Sequence, residues 1–155
     1  GSIQYGMYYW DDNYPDSHVF AEGECLRKTF DPDFMLYHTM AVDEWGHMKG
    51  ADSAEYANAV AAVGHLIAAR MPEWLEKGYQ VVVTADHGMN NLGIHVGTEY
   101  AQREVALYIF SDKVENGRFE ENYISQLNVA PLVCKLMGVP ATEGMKQELE
   151  IVFSK

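Results

Sequence analysis

A β-branched run that halts at a charged tripeptide, VVVTADHG from Val81 to Gly88, constrains this chain more than any other feature. Such a run suits the buried middle of a parallel sheet. Asp86 and His87, both strong metal-binding residues, then fall at the carboxyl end of the strand, where open α/β sheets place their ligands. Strand and site are therefore expected together.

The neighbouring pattern alternates strands with helices. A helix is expected after Pro15, capped by Asp16 or Ser17, with Val19, Gly23, Leu26 and Phe30 on one side and a stop at Asp31-Pro32-Asp33. Phe34 to Met40 reads as a buried strand, followed by an irregular loop marked by Gly46 and Gly50. From Asp52 an alanine-rich helix is expected, capped by Ser53, with Tyr56, Val60, Val63 and Ile67 inward and Pro72 breaking it. A short turn over Glu73 to Lys77 leads to the central strand, Gln80 to Ala85, and Val105 to Phe110 reads as a third strand. After a polar connection over residues 111–123, a helix runs from Leu127 to Met137, with Pro131 near its start and Gly138 past its end. The tail from Ala141 is too mixed to place. The expected fold is α/β: one domain over residues 1–155, with a mostly parallel sheet and helices on both faces.

Charge narrows the partners. Against 11 basic residues stand 23 acidic ones, a formal net charge of -12, which repels phosphate backbones and anionic membrane surfaces unless cations intervene. No nucleic-acid polymer and no membrane is expected as a partner. No apolar run approaches the length of a membrane span and no signal peptide is visible. Cys25 and Cys134 lack metal-site or paired spacing and read as buried free thiols, which fits a reducing compartment such as the cytoplasm. The opening Gly1-Ser2-Ile3 lacks Met and is expected to be a tag scar ahead of a sequence that begins inside a longer protein.

The chemistry gathers at five residues. Asp43 and His47 are four apart, so a helical turn brings them to one face; alone, they read more readily as a capping aspartate and a solvent-facing histidine than as ligands. Asp86 and His87 can share an ion if the strand ends at Ala85 and Gly88 allows a sharp turn. His95 lies in the loop toward the third strand and can reach back over the same strand ends. Crowding five such groups without a cation is unfavourable, because carboxylates repel and desolvated imidazoles resist charging. Mixed nitrogen and oxygen donors suit zinc, with manganese or iron as alternatives, and five ligands suit a two-metal clamp better than one tetrahedral ion. His18, His38 and His65 read as packing or solvent-facing residues. Trp45 stays open between walling the site and filling the core.

The segment from Asp43 to His47, the TADHGMN run from Thr84 to Asn90 and the GIHVGT loop from Gly93 to Thr98 resemble the type I phosphodiesterase and nucleotide pyrophosphatase family of the alkaline phosphatase superfamily. The likeness runs from about Asp33 to Val139. It implies an alkaline-phosphatase-like core, two divalent metal ions, usually zinc, and a Thr or Ser nucleophile that becomes covalently phosphorylated. Position by position it implies Asp43, His47 and His95 as ligands of one metal, and Asp86 with His87 as part of the other site. The implied substrate is a small phosphorylated compound such as a nucleotide, cleaved at a phosphodiester or pyrophosphate bond. Two departures stand out: Val96 replaces a glycine common after the histidine, and no strand with a metal-binding aspartate and nucleophile lies upstream of Asp43. Asp11, Asp12 and Ser17 are poor substitutes, since no apolar strand precedes them. The core is therefore expected to be incomplete on its amino-terminal side, the chain inactive alone, and self-association or pairing with the missing half open to it. Other hydrolases of the superfamily, acting on phosphonoacetate, phosphomonoesters or sulfate esters, and a non-catalytic metal-binding domain remain the alternatives.

Overall fold

The computed structural model describes residues 3–118, 123–145 and 151–154. Residues 119–122 of the expected polar connection, 146–150 of the tail, and the Gly1-Ser2 pair expected to be a tag scar lie outside these. The chain forms two compact units, one comprising Gly1–Pro72 with Ala85–Val105 and the other Glu73–Thr84 with Ala106–Lys155.

The first unit is built on three helices: α1 (Asp16–Phe30), α2 (Ala41–Lys49) and α3 (Ala54–Ala68). Helix α1 starts and stops where the sequence indicates, but its buried stripe is Asp16, Phe20, Glu24 and Arg27, one position off the expected apolar face. Charged residues can occupy that stripe because they satisfy one another. Arg27 Nη2 donates to Glu24 Oε2 at 2.8 Å and Tyr37 Oη donates to Glu24 Oε1 at 3.1 Å. Neither Asp16 nor Ser17 caps the helix; Pro15 holds the cap position. The Asp16 carboxylate instead accepts from the backbone N–H groups of Met40 and Ala41, at 3.1 and 3.5 Å, and so supports the start of α2.

Phe34 to Met40 forms no strand. Its side chains alternate, with Phe34 and Leu36 exposed and Met35 and Tyr37 half-buried, so the segment is neither buried as expected nor paired with a ladder partner. The expected loop around Gly46 is helical. A Cβ there would sit 2.8 Å from Met89 Cε, so this glycine marks close packing and not a break. Helix α3 begins as expected, with Ser53 Oγ accepting from Tyr56 N at 3.1 Å. Cys25 is exposed and Cys134 half-buried, both free, so neither is fully buried as expected; α1 leaves Cys25 on its outer side, one residue from the Glu24 stripe.

The chain passes between units within α4 (Met71–Glu76). In the second unit β1 (Val81–Thr84) pairs with β2 (Leu107–Phe110), and the pairing is antiparallel, Val81 opposite Phe110 and Thr84 opposite Leu107. This corrects the expected parallel relation. The excursion over residues 85–106 leaves and returns at the same end of the pair, whereas a parallel partner requires a crossover along the strand's full length. Parallel sheet is absent among the described residues. The excursion carries α5 (Tyr100–Arg103). After a 3₁₀ turn at Gln126–Asn128, α6 (Val129–Met137) ends at Gly138 with φ 72°, as the sequence indicates. Leu132, Leu136 and Ile151 form the core of this unit against Val82, Leu107 and Ile109. No helix among the described residues is long and apolar enough to cross a membrane.

Candidate metal centre

All five candidate residues lie in the first unit. Asp43 and His47 project from α2 one helical turn apart, with His47 Nε2 3.5 Å from Asp43 Oδ2. His87 Nε2 lies 3.7 Å from the other oxygen, Asp43 Oδ1, and 3.6 Å from Asp86 Oδ1. His95 stacks on His87 with ring centroids 3.8 Å apart and meets His47 edge-on at 5.0 Å. Donor atoms of Asp43, His87 and His95 fall within 4.8 Å of one another. This trio crosses the partition that the family resemblance implies, because it joins Asp43 and His95 of one set to His87 of the other. Asp86 is the outlier, with its side chain 71% exposed.

Backbone carbonyls decide what the imidazoles present. His47 Nδ1 lies 2.8 Å from the Gly93 carbonyl and His87 Nδ1 3.0 Å from that of Gly88. A carbonyl oxygen only accepts, so each Nδ1 carries a proton, and in the neutral imidazole it is Nε2, on the Asp43 side, that is left with a lone pair for a cation. Asp43 Oδ1 is buried and has no hydrogen-bond partner. A buried carboxylate oxygen without a hydrogen-bond partner, with two imidazole nitrogens near the same carboxylate, is an arrangement that a cation resolves, and the donor set fits a zinc-like ion. The same negative charge reaches α3: the Tyr56 phenol is pushed above its ordinary range by burial first and the Asp43 carboxylate second.

The loop carrying His87 and His95 is held by residues that sequence reasoning passed over. Asn90, which reads only as a loop residue, accepts from Leu92 N and Ile94 N through Oδ1 at 3.1 and 2.9 Å and donates through Nδ2 to Glu99 Oε2 at 3.1 Å. Glu99 and Gln102 form a capping box at α5, a spacing visible in the sequence as an acidic residue followed three positions later by glutamine. The histidines read as packing or solvent-facing stay apart from the cluster: His18 packs on Tyr14, His38 meets the Tyr9 hydroxyl, and His65 lines a cleft of about 690 Å³ with Asp16, Glu55 and Trp45. Trp45 thus lines that cleft between helices.

Against known families, residues 9–132 match the model described as type I phosphodiesterase / nucleotide pyrophosphatase. The chain belongs to this family. Among curated proteins similar to it are the GPI ethanolamine phosphate transferase 3 catalytic subunits of Mus musculus, 27% identical over 96% of the chain, and of Homo sapiens, 29% identical over 72%. GPI ethanolamine phosphate transferase 2 of Schizosaccharomyces pombe is 24% identical over 72%. The chain spans only 14%, 10% and 17% of those three proteins. No solved structure matches it. Membership implies an alkaline-phosphatase-like fold, in a family that is generally metal-dependent.

Proposed function

We propose that Asp43, His47, Asp86, His87 and His95 hold divalent metal in an enzyme that moves a phosphodiester-linked group of a small phosphorylated substrate. Two zinc ions are the favoured occupancy, with manganese or iron as alternatives. The observation that carries this reading is Asp43 Oδ1, buried without a hydrogen-bond partner and 3.7 Å from His87 Nε2. When bound, the metal supplies Lewis acidity toward a phosphoryl oxygen. The chain's own residues supply its seat. Asp43 brings the negative charge, His47 and His87 direct Nε2 inward because their Nδ1 protons are spent on carbonyls, and His95 packs against both rings.

The relatives' names favour transfer of ethanolamine phosphate over the nucleotide cleavage expected from the sequence. On this reading the acceptor is a glycolipid, so the membrane that net charge argued against becomes a partner of the whole protein. The chain alone is proposed to bind metal without turnover, self-association or pairing with a complementary segment being its route to a complete site. Stripping metal from the intact protein with a chelator is expected to abolish transfer of ethanolamine phosphate, and zinc to restore it. Undiminished transfer after chelation would remove the metal reading, while metal-dependent cleavage of a nitrophenyl phosphodiester by the 155-residue chain would remove the claim that it is inactive alone.

A further inference from the structure

Asn90 is 7% exposed and Gln102 5% exposed, and together they tie one loop shut. Asn90 Oδ1 takes the N–H groups of Leu92 and Ile94, Asn90 N donates to the Ile94 carbonyl at 3.1 Å, and Gly93 N donates to the Asn90 carbonyl at 3.1 Å. Gln102 Nε2 donates to the Ile94 carbonyl at 3.2 Å, and the Gln102 carbonyl accepts from Gly88 N at 3.0 Å. These bonds act at three points of the candidate centre. Gly88 follows His87, Ile94 precedes His95, and the Gly93 carbonyl within the closed loop receives the His47 Nδ1 proton. The Asn90 carbonyl also accepts from Ala51 N at 3.1 Å, just past the end of α2.

We infer that Asn90 is a positioning residue for the metal centre, its carboxamide, buttressed by Glu99, fixing the loop that orients His47 and presents His95. The inference rests on the metal reading proposed above. A polar side chain that only filled a loop would contribute stability; one that orients ligands also sets the affinity and geometry of the bound ion, and partners of that kind are worth about 10–100-fold in metal affinity.

The test is cobalt(II) titration of the 155-residue chain, read as dissociation constant and visible absorption spectrum, well below the melting point of each metal-free variant. Asn90→Ala is expected to weaken cobalt binding by about 10-fold or more and to alter the spectrum. Asn90→Asp keeps both acceptor bonds but sets a carboxylate against Glu99, and is expected to weaken binding too. Adding Glu99→Gln to it restores one donor and one acceptor with their direction reversed, and is expected to recover the parent spectrum and affinity. If Asn90→Ala does not fold, Glu99→Ala, at an exposed position, removes the buttress and is expected to weaken binding several-fold. Melting points that fall while affinity and spectrum stay at parent values would overturn the positioning role alone. A parent chain that binds no cobalt would overturn the metal reading and this inference with it.

Discussion

Helix α2 carries two of the candidate residues and the loop over residues 86–95 the other three, and they hold their ligands by different means. On α2, Asp43 and His47 meet because four residues make about one turn, a relation that backbone hydrogen bonds maintain whatever the side chains do. In the loop, no periodic backbone pattern places His87 relative to His95. Buried amides do it instead, through Asn90 and Gln102. A helix can therefore be read as a ligand platform from spacing alone, whereas a loop of this kind becomes one only when its buried polar side chains are known.

The largest expected effect falls on the helical half. Asp43 faces His47 through one oxygen and His87 through the other, so Asp43→Ala removes the charge shared by both halves. Zinc affinity, measured by competition with a chromophoric chelator, is expected to fall by more than the roughly 100-fold that bounds loss of a supporting partner. A smaller loss would place the centre of the site on the loop and break the comparison.

The seam between the halves comes next. Gly93 has φ 74°, and a Cβ there would lie 2.7 Å from the His47 carbonyl oxygen, so the loop reaches α2 only because this residue lacks a side chain. Gly93→Ala is expected to cost about 1–3 kcal/mol of stability in urea unfolding. Gly64, inside α3, faces open space, and a Cβ added there would meet nothing within 4 Å. Gly64→Ala is therefore expected to stabilise by about 0.5–1 kcal/mol. Equal effects at the two positions would show that the seam is not built by close approach.

The same contrast explains what the sequence disclosed. The ends of α1, the Ser53 cap, the Gly138 stop and both short strands were legible because each follows from local chemistry: a proline, a hydroxyl at a helix start, a left-handed glycine, a β-branched run in β1 and apolar and aromatic content in β2. The closeness of Asp43, His47, Asp86, His87 and His95 could be anticipated because Asp43, Asp86 and His87 follow apolar runs and His47 and His95 lie within reach of them along the chain. Strand direction was not legible, since Thr84 lies opposite Leu107 only through the course of the whole excursion between them. The buried stripe of α1 was misplaced by one residue because Glu24 and Arg27 neutralise each other, and hydrophobic periodicity has no means of representing a buried pair. Asn90 escaped notice for a related reason: an asparagine in a loop looks solvated until its partners are in view.

The smallest effect tests whether α2 is as self-sufficient as its backbone suggests. The segment entering it is anchored on α1 by Tyr37, whose hydroxyl donates to Glu24. Burial, then the Glu24 carboxylate, raise the Tyr37 phenol far above its ordinary value. A raised phenol binds its proton more tightly folded than unfolded, so its contribution is complete below about pH 10, the unfolded value, and declines as pH rises beyond it. Tyr9 and Tyr56 are raised as well, so the informative quantity is the difference between the parent and Tyr37→Phe. Unfolding free energies compared between about pH 8 and about pH 11 are expected to fall more steeply for the parent, the gap between the two proteins narrowing with alkalinity. Parallel curves would mean that Tyr37 ionises as freely folded as unfolded, and the entry to α2 would then owe nothing to this anchor beyond the bonds Asp16 makes to Met40 and Ala41.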